Sequence, residues 1–248
     1  MWPPQQFFEL HSGLPREGPG DDSITRRAVA LLPELPPDPV VVDAGCGPGG
    51  QTLVLARELG VKVTAIDIHP PFVEVLKGRA KSAGLGHLIE ARQGDMSALP
   101  FAPGTVHLIW CEGAIYHIGF REGLELWRPL LAEGGIVAVS EAVWTVEDPP
   151  AEVREMWEQW YPAITDAMGC IARAAEAGYE TLDHFALPPE SWWTEYYGPL
   201  EERLEELRPR SSGDPVLAQV LLEAELELDV HRRFGRTYSY EFLILKKH

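Results

Sequence analysis

The segment that decides the fold is Val40-Val41-Val42-Asp43-Ala44-Gly45-Cys46-Gly47-Pro48-Gly49-Gly50. Its consecutive valines form the apolar, β-branched run found in parallel strands that are buried on both faces. After it, Gln51 to Leu59 carries apolar residues at helical spacing and stops before Gly60, which is typical of a helix C-terminus. Glycines between a strand and a helix let the backbone turn tightly and approach a ligand, and the helix N-terminus offers free N–H groups. The segment therefore predicts a strand, a ligand-binding turn and a helix.

The glycine spacing fits two classes of nucleoside cofactor. Gly45 to Gly50 satisfies G-x-G-x-x-G, and Asp67 ends the next predicted strand, where an acid binds ribose hydroxyls in dinucleotide sites. Two further acids favour S-adenosylmethionine (SAM). Asp43 precedes the glycines, where a carboxylate could meet a cationic amino-acid group but would repel a pyrophosphate. Asp95 follows the third predicted strand.

This layout resembles that of class I SAM-dependent methyltransferases. The turn reads D-x-G-C-G-x-G-G from Asp43, an acid ends the second strand, G-D-M follows the third, and L-x-x-G-G-x-x-x-x-x-E runs from Leu131 to Glu141. The similarity is strong over residues 38–145 and looser in the last strand. Residues 112–120 resemble a bacterial group that acts on small molecules and whose members mostly lack an assigned substrate.

The resemblance implies an α/β fold. The expected architecture is a doubly wound, mostly parallel seven-stranded sheet of order 3-2-1-4-5-7-6, with the last strand antiparallel and helices on both faces. We expect one domain made of an N-terminal helical extension (1–39), a cofactor-binding core (40–145), a helical cap insertion with one strand (146–236) and the last strand (237–248). A dinucleotide fold would repeat its β-α-β half, and the sequence contains no second glycine turn.

The resemblance also implies the cofactor-binding residues. Asp67 would accept hydrogen bonds from the ribose hydroxyls, Ile68 would flank the adenine, Asp95 would accept the exocyclic amine, and the Met96 N–H would donate to the ring. The full set predicted to bind SAM or its product S-adenosyl-L-homocysteine (SAH) is Asp43, Gly45, Cys46, Gly47, Gly49, Gly50, Gln51, Asp67, Ile68, Asp95, Met96, Cys111 and Glu112.

The loop after the fourth predicted strand carries the candidate catalytic residues. His117 is the preferred general base because an unperturbed imidazole titrates near neutral pH, and Tyr116 and Glu112 complete the catalytic set. The number of aromatic residues predicted around the site is unusually high, which indicates a pocket for a small amine, phenol or lipid-like acceptor. The predicted substrate-binding residues are Tyr116, Glu141, Trp144, Trp192 and Trp193, with Glu141 also an alternative base.

The N-terminal extension is predicted to contribute to the substrate side. It contains an aromatic cluster that includes Trp2, Phe7 and Phe8, followed by Arg16. An extension of this kind often folds across the cofactor site in class I methyltransferases, and by that resemblance Phe7, Phe8 and Arg16 face the substrate. A helix that only packs against the sheet edge is the alternative.

Composition limits the partners. The chain has 248 residues, of which 45% are hydrophobic, enough for a full core. Its 38 acidic and 21 basic residues give a net charge of −17, which argues against nucleic acid as a partner. The three cysteines show no paired spacing, so we expect no metal site and a reducing compartment. With no secretory signal or spanning apolar run, we expect a cytoplasmic monomer or homodimer without a membrane partner.

The sequence therefore predicts a SAM-dependent methyltransferase that acts on an unidentified small molecule. Two alternatives stay open at this point. One is a non-catalytic protein that binds SAM or SAH, and the other is an NAD(P)-dependent oxidoreductase.

Overall fold

A central sheet organises the computed structural model, which describes residues 4–248, so Trp2 of the aromatic cluster lies outside the described residues. The strands are β1 (Val41–Ala44), β2 (Val63–Asp67), β3 (Ile89–Gln93), β4 (Val106–Cys111), β5 (Leu131–Trp144), β6 (Thr165–Asp166), β7 (Tyr179–Ala186) and β8 (Tyr238–Lys247). The α-helices are α1 (Gln5–Leu10), α2 (Asp22–Ala30), α3 (Gly50–Leu59), α4 (Pro70–Ser82), α5 (Phe120–Trp127), α6 (Ala151–Trp160), α7 (Ala167–Glu176), α8 (Gly198–Leu207) and α9 (Pro215–Phe234).

The strand order confirms the predicted topology. The sheet runs β3-β2-β1-β4-β5-β8-β7, and the two-residue β6 pairs only with β5. Strands β1 to β5 pair in parallel, whereas β8 is antiparallel to both of its neighbours. Apart from the short β6, which was not predicted, this is the order 3-2-1-4-5-7-6 with an antiparallel last strand. The four-part division of the domain stays a prediction.

The valines of β1 explain why helices cover both faces of the sheet. Successive residues of a strand point to opposite faces. Val41 belongs to the cluster that contains Leu55 of α3 and Ala28 of α2. Val42 belongs to a second cluster, with residues of α5 and α7 such as Leu124. Both valines are fully buried, as expected for a central parallel strand.

The cap helices α6, α8 and α9 pack on the same face of the sheet as α2 and α3. Their apolar residues share one cluster with Trp110 of β4 and Phe242 of β8. The segment before α2, residues 4–21, joins this cluster through Leu10 and Leu14, which are both buried. We call this segment the strap. Within residues 4–248, none of the helices combines the length and the apolar character needed to cross a bilayer.

Strand β5 differs from the prediction. The sequence predicted a helix over residues 121–131, a turn at residues 132–135 and a short strand over residues 136–140. The helix instead ends at Trp127, and the strand runs from Leu131 to Trp144. The predicted turn is an irregularity in the pairing of β4 with β5, and Gly134 adopts a φ of 67° there. The strand is long because β8 pairs with it from Ile136 to Trp144.

The strand order also fixes where a ligand binds. The order reverses between β1 and β4, and parallel sheets of this kind bind ligands at the carboxyl ends of the strands beside such a reversal. The glycine turn follows β1, and residues 112–119 follow β4. Both segments therefore lie at the same edge of the sheet.

Gly49, just before α3, provides a test of this packing. Its φ is 88°, and an added Cβ would lie 2.2 Å from Cδ1 of Leu76 on α4. Gly60, after α3, has a φ of 65° but no atom within 4 Å of an added Cβ. We expect Gly60→Ala to cost about 1–2 kcal/mol for the left-handed backbone alone. Gly49→Ala should cost about 1–3 kcal/mol more, because the methyl group overpacks against Leu76. Urea unfolding of both variants measures this difference, and equal losses would contradict the packing argument.

Candidate functional site

A cavity of about 670 Å³ lies at the carboxyl ends of the strands beside the reversal. Its walls are the glycine turn, the end of β2, the loop after β3, the loop after β4 and the strap. The volume is in the range of about 300–1,000 Å³ that small-molecule sites occupy. The strap contributes the wall that the sheet itself does not supply.

The glycine turn is held against the end of β2 by backbone hydrogen bonds. The N–H groups of Gly45 and Cys46 donate to the carbonyl oxygen of Ile66 at 2.8 and 3.0 Å. The N–H of Gly47 donates to Oδ2 of Asp67 at 2.8 Å. Gly45 has a φ of 74°, and an added Cβ would lie 2.6 Å from Cβ of Ala114. Glycine is therefore required there, and the turn leaves an open cradle at the cavity wall.

Asp67 is oriented by two backbone donors. Its Oδ1 accepts a hydrogen bond from the N–H of His69 at 2.8 Å, in addition to the Gly47 contact. Burial raises the pKa of Asp67, and these two hydrogen bonds act in the opposite direction. Each carboxylate oxygen can accept a further hydrogen bond. Ile68, next to it, is 42% exposed and lines the cavity.

Hydrogen bonds hold the loop after β3 at Asp95 and Met96, the two residues predicted to bind the adenine. Oδ1 of Asp95 accepts hydrogen bonds from the N–H and the hydroxyl of Ser97 at 2.8 and 2.7 Å. The indole N–H of Trp127 donates to the carbonyl oxygen of Met96 at 2.8 Å. Asp95 and Met96 both line the cavity.

The loop after β4 places Tyr116 and His117 on the cavity wall. Their rings lie 4.1 Å apart between centroids. Partial loss of hydration lowers the pKa of His117, although the nearby Asp67 acts in the opposite direction. The imidazole is therefore neutral at pH 7 and can accept a proton. Burial raises the pKa of Tyr116, so its phenol stays protonated.

Glu112 lies in a buried ion cluster instead of presenting a free carboxylate. Nη1 of Arg16 donates to its Oε2 at 2.9 Å. Its Oε1 accepts hydrogen bonds from the Thr25 hydroxyl and the Trp110 indole N–H, both at 2.8 Å. Nε of Arg16 also donates to Oε2 of Glu195 at 2.7 Å. Both oxygens of Glu112 are engaged, which corrects its predicted catalytic role: it fastens the strap to the end of β4.

Eleven of the residues predicted from sequence line the cavity. They are Gly45, Cys46, Gly47, Gln51, Asp67, Ile68, Asp95, Met96, Glu112, Tyr116 and His117. Phe7, Phe8 and Arg16 of the strap line it as well.

Four residues predicted to bind the cofactor lie behind the wall, and Asp43 is the clearest case. Its Oδ2 accepts a hydrogen bond from the Thr52 hydroxyl at 2.6 Å. It is 0% exposed, and burial raises its pKa to about 7. Asp43 therefore lies behind the glycine turn, where it binds Thr52 of α3, and does not reach the cavity. Cys111, Gly49 and Gly50 are also absent from the wall.

The other substrate candidates lie elsewhere. Glu141 is buried in the sheet, where burial raises its pKa to about 8, and its Oε1 accepts the N–H of Ala142. Trp192 is packed inside the cap with its ring centroid 4.5 Å from that of His231. Trp144 packs near Trp157, and Trp193 lies beneath Arg232; neither lines the cavity. None of these four residues lies on the cavity wall, so their role in substrate binding stays a prediction.

Three wall residues with an ionisable or aromatic side chain were not predicted. Glu17, His69 and Phe72 line the cavity, and the ring of Phe8 stacks on His69 at 3.8 Å. The position of His69 two residues after Asp67 could have indicated it. Nothing local singles out Glu17 except that it follows Arg16.

Comparison with known proteins was consistent with this geometry. Residues 41–135 match the family described as methyltransferase domain. The trans-aconitate 2-methyltransferase of Paracidovorax citrulli is 31% identical over 190 residues, which cover 73% of this chain and 70% of that protein. The sarcosine/dimethylglycine N-methyltransferase of Halorhodospira halochloris is 32% identical over 119 residues, 46% of this chain and 43% of that protein.

A solved structure shares the whole fold. A SAM-dependent methyltransferase from Geobacter sulfurreducens, in complex with SAH, matches with a TM-score of 0.86 at 20% identity, covering 99% of this chain and 98% of that one. The comparisons favour SAM over a nicotinamide cofactor.

The residues present fit SAM. The glycine turn offers a cradle without Cβ atoms, and Asp67 stands at the end of β2 to meet a ribose. A buried oxygen of Glu17 on the wall lacks a hydrogen-bond partner among the described residues. Within that part of the chain, His, Cys, Asp and Glu side chains form no group of three or more suited to a metal ion.

The Arg16 cluster predicts a large effect on stability. The side chains of Arg16 and Glu112 are 4% and 6% exposed. We expect Arg16→Met to cost about 3–5 kcal/mol, because it leaves the Glu112 carboxylate buried and unpaired. Arg26→Met is the matched control, since Arg26 pairs with Asp22 and Glu58 at the surface and should cost no more than about 1 kcal/mol. Urea unfolding compares the two, and similar losses would show that the cluster contributes little.

Proposed function

This chain belongs to the class I SAM-dependent methyltransferases, and we propose that it methylates a small molecule that carries no net negative charge. The charge of the cavity wall supports this proposal. Its carboxylates are Glu17, Asp67, Asp95 and Glu112. The cation on the described wall is Arg16, which already pairs with Glu112 and Glu195.

The two histidines on the wall add no positive charge to it at pH 7. Loss of hydration lowers the pKa of both His69 and His117, so both are neutral at pH 7. An anionic acceptor would meet uncompensated carboxylates in a partly desolvated site, which is strongly unfavourable. An uncharged or cationic acceptor would not be repelled by these carboxylates.

The two curated relatives differ in this respect. One is named for trans-aconitate, a tricarboxylate, and this wall offers no free guanidinium or ammonium group among its described residues. The other is named for sarcosine and dimethylglycine, which are amines without net negative charge. The wall charge favours an acceptor of the second kind.

The aromatic part of the wall is where we place the acceptor. SAM, when bound, would supply a methyl group on its sulfonium. An acceptor lone pair would attack the methyl carbon, and SAH would leave. The glycine turn, Asp67 and Asp95 would hold this cofactor. The remaining wall includes six aromatic rings, those of Phe7, Phe8, His69, Phe72, Tyr116 and His117. Such a surface suits an apolar or cationic small molecule.

His117 is the proposed proton acceptor. An unprotonated nitrogen of its imidazole would take the proton that an amine or hydroxyl loses on methylation. Tyr116 would orient the acceptor, since its ring packs on that of His117 and its phenol can donate a hydrogen bond. Holding the acceptor in line would supply much of the acceleration.

A charge-matched acceptor panel tests the proposed class. The panel pairs each aromatic amine or phenol with a carboxylate of similar ring and chain length, such as benzylamine with benzoate. We expect transfer of labelled methyl from SAM to be at least about tenfold more efficient, in kcat/KM, to the uncharged or cationic member. Carboxylates preferred across the panel would overturn the proposal.

His117→Gln tests the base. We expect kcat to fall about 100-fold or more for an acceptor that must lose a proton, with SAH affinity unchanged. Wild-type kcat should rise with pH as His117 loses its proton, at a pH below 6.5, since its pKa is lowered, and the variant should lack this dependence. His69→Gln is the matched control, because His69 is also a neutral histidine on the wall. If it had the larger effect on kcat, the assignment would be wrong.

A further inference from the structure

We propose that Glu17 of the strap binds the ammonium group of the cofactor's methionyl moiety. This inference rests on SAM as the cofactor and adds a residue outside the matched methyltransferase domain. It assigns the cationic contact that the sequence had placed at Asp43.

Glu17 lies directly over the glycine turn. A Cβ added to Gly47 would lie 3.5 Å from Cγ of Glu17, so the two residues face each other at van der Waals distance. Glu17 also lines the cavity. Its position therefore brings a carboxylate to the turn that forms the cofactor cradle.

One oxygen of Glu17 lacks a partner in the described structure. Its Oε2 contacts Nδ1 of His11 at 2.8 Å. Its Oε1 is buried, and no donor among residues 4–248 reaches it. A buried carboxylate oxygen without a hydrogen bond is costly. An ammonium group, which donates N–H hydrogen bonds and carries the opposite charge, would satisfy this oxygen.

The neighbouring guanidinium groups are directed elsewhere. Arg16 donates to Glu112 and Glu195. Arg79 of α4 donates from Nη1 to the carbonyl oxygens of Pro15 and Pro48 at 2.9 and 3.1 Å, and from Nη2 to that of Leu14 at 2.8 Å. Arg79 thus fastens the strap to the glycine turn. Its N–H groups bind backbone oxygens instead of the Glu17 carboxylate, although the two opposite charges still attract each other.

The other acids of the site have different positions. Asp67 receives the N–H of Gly47, whereas Glu17 faces the Cα side of the same residue. The two carboxylates therefore flank one glycine. A cofactor with its ribose at Asp67 would extend past Gly47 to bring its other end to Glu17. Glu112 has both oxygens engaged, and Asp43 lies below the turn. Among the acids on the described wall, Glu17 is the one with a buried oxygen that lacks a hydrogen-bond partner.

A comparison of two ligands distinguishes binding of the methionyl end of the cofactor from binding of its nucleoside end. SAH carries the amino-acid group, and 5′-methylthioadenosine has the same nucleoside and sulfur without it. For Glu17→Gln, we expect calorimetry to show SAH binding about 10- to 100-fold weaker than wild type, as for loss of a charged hydrogen bond. Binding of methylthioadenosine should be unchanged. Glu9→Gln is the control on the strap, since Glu9 pairs with Arg210 away from the cavity, and it should alter neither affinity.

A second measurement compares two ligands on the same protein, so a general effect of the substitution on folding cancels in the ratio of the two affinities. Wild-type protein should bind the SAH analogue without its amino group 10- to 100-fold more weakly than SAH, and Glu17→Gln should bind the two about equally. Unchanged SAH affinity in Glu17→Gln would overturn the inference, and so would equal weakening of SAH and methylthioadenosine, which would show that Glu17 only supports the strap. Wild-type binding of SAH is scored separately, so failure of the cofactor assignment can be told from failure of the inference.

Discussion

The site depends on one buried positive charge, the guanidinium of Arg16. A charge removed from water is tolerated only when partners replace its hydration. By itself, burial would lower the pKa of Arg16, but the carboxylates of Glu112, Glu195 and Asp22 more than offset that effect and raise it. Glu112, at the end of β4, and Glu195, in the cap, lie 96 and 179 residues from Arg16 in the chain, whereas Asp22, at the start of α2, is only 6 residues away. Pairing with all of them fixes the strap over the glycine turn, and without the strap the cavity would lose a wall.

The same cluster shapes the electrostatics of the cavity. Because Arg16 is fully engaged, it gives no positive potential to a ligand, and the carboxylates of Asp67, Asp95 and Glu17 dominate the wall. A negative wall suits SAM, whose sulfonium and ammonium groups are cationic. In a partly desolvated site this field extends to the acceptor as well. In the proposed function, one set of charges thus serves both cofactor recognition and the choice of acceptor.

The cavity wall combines residues of the matched methyltransferase domain with residues of the strap. The matched methyltransferase domain covers residues 41–135, while the strap and the cap lie outside it. Relatives that share the domain are named for acceptors as different as trans-aconitate and sarcosine. One fold can serve many substrates because function is set by the side chains added around it. In this chain the wall residues outside the matched domain include Glu17, Phe7 and Phe8 of the strap, to which our proposals assign cofactor and acceptor contacts.

The sequence by itself determined the strands of the cofactor half, the glycine turn and the places of Asp67 and Asp95, because turn chemistry and hydrophobic periodicity are local properties. The strand order was predicted from the resemblance of these motifs to class I methyltransferases. Tertiary structure decided the rest. Pairing with β8, about 100 residues later in the chain, sets the length of β5. Packing of the cap on the sheet takes Trp192 away from the cavity, and burial takes Asp43 below the turn and Glu141 into the sheet. Glu17 reaches the cofactor cradle only because Arg16 and Arg79 fasten the strap. Contacts between residues so far apart leave no periodic signal in the sequence, so only the folded chain reveals them.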